Sequence, residues 1–269
     1  MVKEEALTID EDSMNEEASK NAHKEEKVIT MSKQSSRPDG RKVDELRPME
    51  AKVGVVEKAD GSAMFKIGNT IAIAAVYGPK EVHPKHMEDP EKAVVKCYYD
   101  MYSFSVPERK RPGPDRRSTE IGMVIKKSLL PAIFVKEYPK SAIEIYVSIM
   151  QADAGTRCAA ICAAAMALAD AGIAMKDMVS AVACGVVNGQ AVVDLTKEDE
   201  DVEGTTDIPI AYMPRKKSIS LLQLDGKITK EEFKEAIKLG ITGCEKIYEV
   251  QKKALKDKYA SDHIELASE

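Results

Sequence analysis

The chain turns at Gln151-Ala152-Asp153-Ala154-Gly155-Thr156-Arg157-Cys158, where an apolar run meets an alanine-rich one. The residues before it, 142–150, are rich in β-branched side chains and predict a buried strand. The residues after it, 159–171, predict a buried helix. A junction between a buried strand and a buried helix lies at the centre of a fold, so the rest of the chain is interpreted around it.

The triplet at this junction is suited to binding an anion. The first amides of a helix lack partners within the helix and carry the positive end of its dipole. Gly155 allows close approach, Thr156 offers a hydroxyl, and Arg157 adds a planar fork of donors. These residues predict a site for inorganic phosphate. The alternative is an ordinary helix start, with Thr156 as N-cap and Arg157 in a surface ion pair.

Charge is distributed unevenly along the 269 residues. Apolar residues make up 43% and charged residues 32%, which predicts a full core and a well-solvated surface. The net charge of −5 does not suggest a nucleic-acid binder, but acidic residues concentrate in the first thirty positions. Basic clusters lie in the middle, at 109–111, 116–117 and 215–217. Such local patches matter more to a polyanionic partner than the total charge does.

Cysteine usage indicates the compartment. The five cysteines form an odd set without paired metal-type spacing, and no signal peptide precedes the fold. We therefore expect a reducing, cytoplasmic environment. No apolar run approaches the length of a membrane span, so we expect no membrane partner.

The organisation is predicted as one folded region between two tails. Residues 1–35 are polar and predict a disordered tail, residues 36–260 the folded domain, and residues 261–269 a flexible C-terminal tail. Strands are predicted at 51–56, 62–67, 70–77, 179–187, 190–195, 208–213 and 218–225, with an extended stretch at 93–106 and helices at 115–137, 159–171 and 229–259. Strands followed by a helix, twice over, predict an α+β fold of two similar halves, each a mixed sheet covered by helices.

Two further clusters carry candidate chemistry. Pro112 and Pro114 exclude helix before Asp115, so Arg116 and Arg117 stand at a helix start, where their charge opposes the dipole. That local conflict is typical of a functional site, although a solvated basic turn is the alternative. Acids follow a strand from residue 194 to 201, where they can hold a hard cation or deliver a proton. A solvated acidic loop is the alternative there.

Together these motifs resemble the ribonuclease PH family, most closely the catalytic subunits of archaeal exosomes. The motifs stand in the family's order over about residues 37 to 260: Arg37-Pro38-Asp39-Gly40-Arg41, the proline-arginine loop ending at Arg117, residues 151–157, Ala169-Asp170-Ala171-Gly172-Ile173, and Asp194-Leu195 followed by Asp207-Ile208-Pro209. Five motifs in register are far more specific than any one of them.

The resemblance implies a ribonuclease PH-type fold and a phosphate-dependent 3′-to-5′ exoribonuclease. Inorganic phosphate attacks the last phosphodiester of RNA and releases a nucleoside diphosphate, and the reverse reaction adds tails. By position, Gly155, Thr156 and Arg157 would hold the phosphate. Arg116 and Arg117 would grip the phosphates of the RNA 3′ end.

The same resemblance assigns the acids. Asp194 would be the general acid for the leaving 3′-oxygen, and Asp201 would share that work or hold Mg²⁺ together with Asp194. The family spaces its two aspartates six apart, whereas Asp194 and Asp201 are seven apart and Glu200 occupies the sixth position. Either Glu200 or Asp201 can fill the second acidic role.

The resemblance also implies partners. The loop with Lys80, His83 and Lys85 matches the segment lining the channel through which single-stranded RNA passes, and a solvated loop is its alternative. Catalytic subunits of this kind alternate with an inactive homologue in a hetero-hexameric ring, a trimer of dimers, capped by RNA-binding subunits. A non-catalytic RNA-binding ring subunit, or a homohexameric ribonuclease PH trimming transfer RNA, are the alternatives. Thr156, Arg157 and the acid pair favour the enzyme.

Overall fold

A computed structural model describes residues 37, 39–108 and 110–266, with the side chains of the last helix described as far as residue 260. The acidic tail predicted over residues 1–35, and Arg109, lie outside the described residues. From Arg37 onward the chain forms one compact unit. The helix predicted to end near residue 259 continues to Leu266, into the predicted C-terminal tail.

The first half of the chain builds a five-stranded sheet. Its elements are β1 (Met49–Val53), β2 (Gly61–Ile67), β3 (Thr70–Glu81), β4 (Val94–Met101), α1 (Arg116–Leu129) and β5 (Ser141–Gln151). The strand order is β1-β2-β3-β5-β4, with β4 parallel to β5 and the other pairs antiparallel. The predicted strands are therefore confirmed, whereas α1 ends eight residues before the predicted 137. Pro131 cannot continue an α-helix, and two short 3₁₀ turns, Leu130–Ala132 and Val135–Glu137, follow instead.

The second half builds a four-stranded antiparallel sheet. Its elements are α2 (Thr156–Asp170), β6 (Ser180–Val187), β7 (Gln190–Val193), α3 (Lys197–Glu200), β8 (Thr206–Met213), β9 (Ser218–Leu222) and α4 (Lys230–Leu266). The strand order is β7-β6-β8-β9. Asn188 and Gly189 both have positive φ and turn β6 into β7, the hairpin type for which that dipeptide is selected. The α+β architecture with two sheets and covering helices is as predicted.

Helix α2 lies between the two sheets and is buried on all sides. It contacts β2 and β3 of the first sheet and β6 and β8 of the second, and every residue from Cys158 to Leu168 is buried. Alanine allows this because its methyl group lets backbones approach closely. At Gly61 even a methyl group would not fit, since a Cβ there would lie 2.2 Å from the amide nitrogen of Ala171.

The sheet register separates the two predicted site regions. Ile71 pairs with Gln151 at one end of the β3–β5 ladder, and Lys80 pairs with Ala142 at the other. Nine residue steps along β5 correspond to about 30 Å at the usual rise of a strand. The Lys80 loop and the residue 155–157 corner are therefore at opposite ends of the first sheet.

Two further observations bear on the environment of the chain. Among the described residues, no helix is both long enough and apolar enough to cross a membrane. All five cysteines are described, and none forms a disulfide.

Candidate functional site

The phosphate corner is formed by the turn from β5 into α2. Ala154 and Gly155 adopt left-handed backbone angles with φ of 54° and 63°, and Gly155 is the N-cap of α2. Thr156 is therefore the first helical residue and not the N-cap, and no side chain caps this helix end. The first helical bond runs from the amide of Ala159 to the carbonyl of Gly155 at 3.0 Å. The amides before Ala159 thus have no helical acceptor, as an anion site requires.

Unpartnered polar atoms surround this corner. Arg157 Nη1 donates to Gln223 Oε1 at 2.6 Å, and its Nε is buried without a partner among the described residues. The hydroxyl of Tyr99 is likewise buried and unpartnered. Burial raises the pKa of Tyr99, while the nearby Thr156 hydroxyl and the Arg117 and Arg157 charges oppose this rise. Buried groups are normally satisfied, so these donors fit a bound oxyanion.

Two carboxylates with raised pKa values adjoin the corner. Burial raises the pKa of Asp207 to about 6, and the Glu200 carboxylate adds to this rise whereas Arg157 opposes it. The Glu200 side chain is exposed, yet partial desolvation still raises the pKa of its carboxyl, while the Lys197 and Arg117 charges oppose this rise. One carboxylate oxygen of Asp207, Oδ1, is buried without a partner. Neighbouring carboxylates with raised pKa values are suited to general acid chemistry.

Asp194 is buried next to the corner, where it lines a small cavity together with Arg47 and Gly155. The resemblance places it at the scissile bond, but its side chain is 2% exposed and is held between two arginines. Oδ2 accepts from the backbone amide of Arg47 at 2.7 Å, from its Nε at 3.0 Å and from Arg41 Nη1 at 3.1 Å. Oδ1 accepts from Arg47 Nη2 at 2.7 Å. The carboxylate therefore faces protein cations on both oxygens.

Asp201 points to solvent. It ends the short helix α3, its side chain is 64% exposed, and its Oδ1 accepts from Lys197 Nζ at 2.6 Å. Neither predicted metal ligand therefore fits Mg²⁺: Asp194 is enclosed by guanidinium groups, and Asp201 is paired with an ammonium. No cluster of three or more potential metal ligands occurs among the described residues. Glu200, the predicted substitute, lies near the positive charges of Lys197 and Arg117.

The predicted RNA-binding arginines are at the start of α1. Arg116 and Arg117 are both exposed, and Asp115 caps the helix through a reciprocal pair with Ser118, as the sequence predicts. Arg117 is close enough to Glu200 and Tyr99 to influence the pKa of each. The structure thus brings Arg117 to the same region as Arg157, Glu200 and Asp207.

The predicted channel residues form a separate group. Lys80 lies at the end of β3, with Nζ 2.7 Å from Glu144 Oε2 and 5.7 Å from the ring centre of Tyr77. His83 is exposed near Glu81, and Lys85 opens an exposed 3₁₀ turn. Lys80 is therefore already paired with an acid.

Several residues of the site were not singled out from the sequence. Asp207 belongs to one of the motifs that carry the resemblance, and its place at the head of β8 was the available signal. Arg47, Tyr99 and Gln223 had no such signal, because each lies in an ordinary local pattern. Their position depends on contacts with residues far away in the chain.

Comparison with known proteins covers nearly the whole described chain. Residues 45–174 match the 3′ exoribonuclease family, domain 1, of the RNase PH type, and residues 177–243 match domain 2 of that family. The exosome complex component Rrp41 of Methanopyrus kandleri is 53% identical over 232 residues, which are 86% of this chain and 97% of that protein.

Two other relatives extend the comparison. Rrp41 of Nitrosopumilus maritimus is 47% identical over 236 residues, 88% of this chain and 96% of that protein. The crystal structure of rice (Oryza sativa) Rrp46 superposes with a TM-score of 0.72 at 25% identity, covering 81% of this chain and all of that one.

Proposed function

The chain belongs to the RNase PH type of 3′ exoribonuclease family, and on that premise we propose how its residues carry out phosphorolysis. The enzyme is a phosphate-dependent 3′-to-5′ exoribonuclease of the exosome type, as its relatives named Rrp41 indicate. The observation that carries the residue-level proposal is the group of buried, unpartnered polar atoms on Arg157, Tyr99 and Asp207.

Inorganic phosphate binds at the start of α2. The free amides around Thr156, the Thr156 hydroxyl and the Arg157 guanidinium hold it, and Gln223 orients the guanidinium. A phosphate oxygen attacks the phosphorus of the terminal phosphodiester, and the bond from that phosphorus to the preceding 3′-oxygen breaks. The terminal nucleotide leaves as a nucleoside diphosphate. Catalysis rests on positioning and charge neutralisation, as is usual in phosphoryl transfer.

The leaving 3′-oxygen must receive a proton. We assign this to Glu200, because its pKa is raised and it lies beside Arg117, which binds the RNA phosphates. Asp207 lies beside Arg157, so its protonated form can donate a hydrogen bond to the attacking phosphate. The negative charge of Glu200 favours retention of the proton on Asp207.

RNA approaches over basic side chains. Arg116 and Arg117 bind the phosphates near the 3′ end, and Lys80, His83 and Lys85 contact single-stranded RNA farther out. Binding through charge makes this contact dependent on salt and largely independent of sequence. Mg²⁺, where it takes part, would be held mainly by the nucleotide phosphates and would neutralise charge on nonbridging oxygens.

The chain acts within a larger assembly. Its relatives are named as components of a complex, and we propose a hetero-hexameric ring in which this chain alternates with an inactive homologue below RNA-binding cap subunits. The five free thiols support a cytoplasmic location. A non-catalytic ring subunit is disfavoured, because the phosphate corner and two carboxyl groups with raised pKa values are present together.

The test is incubation of the purified chain, with and without its ring partner, with end-labelled RNA. We expect nucleoside diphosphates to be released only when phosphate is present. Monophosphates released without phosphate would indicate hydrolysis and overturn the mechanism. Arg157→Ala is the control, because a contaminating nuclease would be unaffected by it.

A further inference from the structure

Arg47 connects the phosphate corner to the interior of the second half. Its side chain lies in the segment before β1 and is 7% exposed. Nη1 donates to the carbonyl of Asp153 at 2.6 Å, in the turn that leads into α2. Nε and Nη2 donate to the two oxygens of Asp194 at 3.0 and 2.7 Å. One guanidinium therefore bridges the phosphate turn and the end of β7, and all of its nitrogens are used.

Asp194 continues the connection through its backbone. Its carbonyl accepts from Arg37 Nη2 at 2.7 Å, and the same nitrogen donates to Asp199 Oδ2 at 2.6 Å. Neither the Arg37 nor the Asp199 side chain is exposed. Asp199 in turn forms a capping box with Thr196 at the start of α3, the helix that carries Glu200. A continuous series of hydrogen bonds thus runs from Asp153 to α3, the helix that carries the proposed general acid.

The arrangement excludes substrate chemistry at Asp194 itself. Both carboxylate oxygens accept from arginine donors, and the side chain is almost fully buried. A second cation there would be repelled by the two guanidinium charges within 3.1 Å. A substrate oxygen would have to displace an arginine from a buried pair, which is strongly unfavourable.

We infer that Asp194 and Arg47 are positioning residues, a clasp that holds the phosphate turn at a set distance from the helix carrying Glu200. The clasp is defined as Arg47, Asp194, Arg37 and Asp199. The inference rests on the proposed function, because it concerns the geometry of the same reaction. It assigns Asp194 no proton transfer and no metal.

The position of the phosphate turn explains the need for such a clasp. Ala154 is not glycine, yet it holds φ at 54°, and Gly155 follows at 63°. Consecutive left-handed residues persist only when the surroundings hold them there. Thr70 supplies one restraint through its hydroxyl, which donates to the carbonyl of Ala154 at 2.7 Å. Arg47 supplies a second restraint, and its own position is held from the second half of the chain by Asp194.

Arg47→Lys is the sharpest variant. Lysine keeps a cation beside Asp194 but has a single nitrogen, so the link to the phosphate turn and one of the two side-chain bonds to Asp194 are lost. We expect the KM for phosphate to rise about tenfold while kcat at saturating phosphate stays within about threefold of the wild-type value. The assay is phosphorolysis of labelled RNA by the assembled enzyme across a series of phosphate concentrations.

Lys258→Met is the matched control. Lys258 pairs with Asp170, a buried acid at the opposite end of the same helix α2. This variant loses stability without touching the phosphate turn, so its phosphate KM should equal that of the wild type. If both variants raise KM in proportion to their loss of melting temperature, the effect is general loosening and the clasp is refuted.

Asp194→Asn separates positioning from catalysis. A positioning role predicts that saturating phosphate restores most of kcat, and that the Mg²⁺ concentration for half-maximal activity does not move. Loss of kcat at every phosphate concentration, or a shift in the Mg²⁺ midpoint, would overturn the assignment. Should Asp194→Asn fail to fold, an unchanged phosphate KM in Arg47→Lys refutes the clasp by itself. Failure of the proposed function is a different result, in which the wild type releases no diphosphates with phosphate.

Discussion

Arg157 Nη1 donates to Gln223 Oε1 at 2.6 Å, which ties the first turn of α2 to the residue that follows β9. The bond fixes the plane of the guanidinium, while its buried Nε has no partner in the part of the chain that the structure describes. A donor group oriented in advance loses little freedom when the anion binds. This pair therefore joins the start of α2 to the end of β9 in the second sheet.

Gln223→Ala should raise the phosphate KM by about three- to tenfold, because the guanidinium of Arg157 becomes free to rotate. Gln223→Glu should raise it further, since the new carboxylate pairs with Arg157 and repels phosphate. Phosphate saturation curves for phosphorolysis measure both effects. Equal KM values for wild type and Gln223→Glu would show that Arg157 does not bind the phosphate.

Glu200→Gln should lower kcat by about 10²-fold, because the leaving 3′-oxygen loses its proton donor. Asp201→Asn should change kcat less than twofold, since Asp201 faces solvent and Lys197. Single-turnover phosphorolysis at saturating phosphate separates this chemical step from product release. A large loss in Asp201→Asn with an active Glu200→Gln would reverse the assignment.

Asp207→Asn should stabilise the fold at neutral pH but not in acid. The folded-state pKa of Asp207, about 6, lies above its usual 3.8, so the stability that its protonation contributes is complete below about pH 4 and is lost as pH rises through about 6. Asparagine cannot ionise. The variant should therefore gain on the order of 1–3 kcal/mol relative to wild type between pH 4.5 and 7.5. Urea unfolding at both pH values measures the gain, and a constant difference would contradict the raised pKa.

Lys85→Ala should weaken the binding of long RNA and reduce its salt dependence by about 0.7 in the log–log slope. Lys80→Ala should change the slope less, because Glu144 already neutralises that charge. The loop that contains Lys80 and Lys85 is about 30 Å along the first sheet from the corner at residues 155–157. Oligonucleotides too short to span that distance should therefore bind Lys85→Ala and wild type equally. Fluorescence anisotropy across a salt series, with short and long RNAs, checks both expectations.

Gly61→Ala should lower the free energy of unfolding by about 1–3 kcal/mol, because the added Cβ would lie 2.2 Å from the backbone nitrogen of Ala171 at the end of α2. Chemical denaturation gives the change in midpoint. Lys66→Ala, on the opposite face of the same strand, should have little effect. Similar losses in the two variants would mean that close packing of β2 on α2 is not what requires glycine.

Local patterns in the chain predict most of the fold and one part of the site. Strand periodicity, Asn188-Gly189, the Asp115 cap and the alanine-rich run each act within a few residues, so elements and turns were predicted close to where they lie. The end of α1 differed from the predicted boundary, because Pro131 stops the α-helix eight residues earlier. The corner proposed for phosphate could also be predicted, because Gly155, Thr156 and Arg157 are consecutive and stand at one helix end.

The roles of the acids were decided only by tertiary structure. The sequence offers four acids of similar chemistry, and their spacing left open which of them fills the second acidic role: Asp194, Glu200, Asp201 and Asp207. What distinguishes them is which cations face them, and Arg47 faces Asp194 from 147 positions away. Burial and neighbouring charge determine whether a carboxylate holds a proton, binds an arginine or points to solvent. The sequence alone thus determined the elements, the anion corner and the family, while long-range packing selected which carboxylates remain available for chemistry.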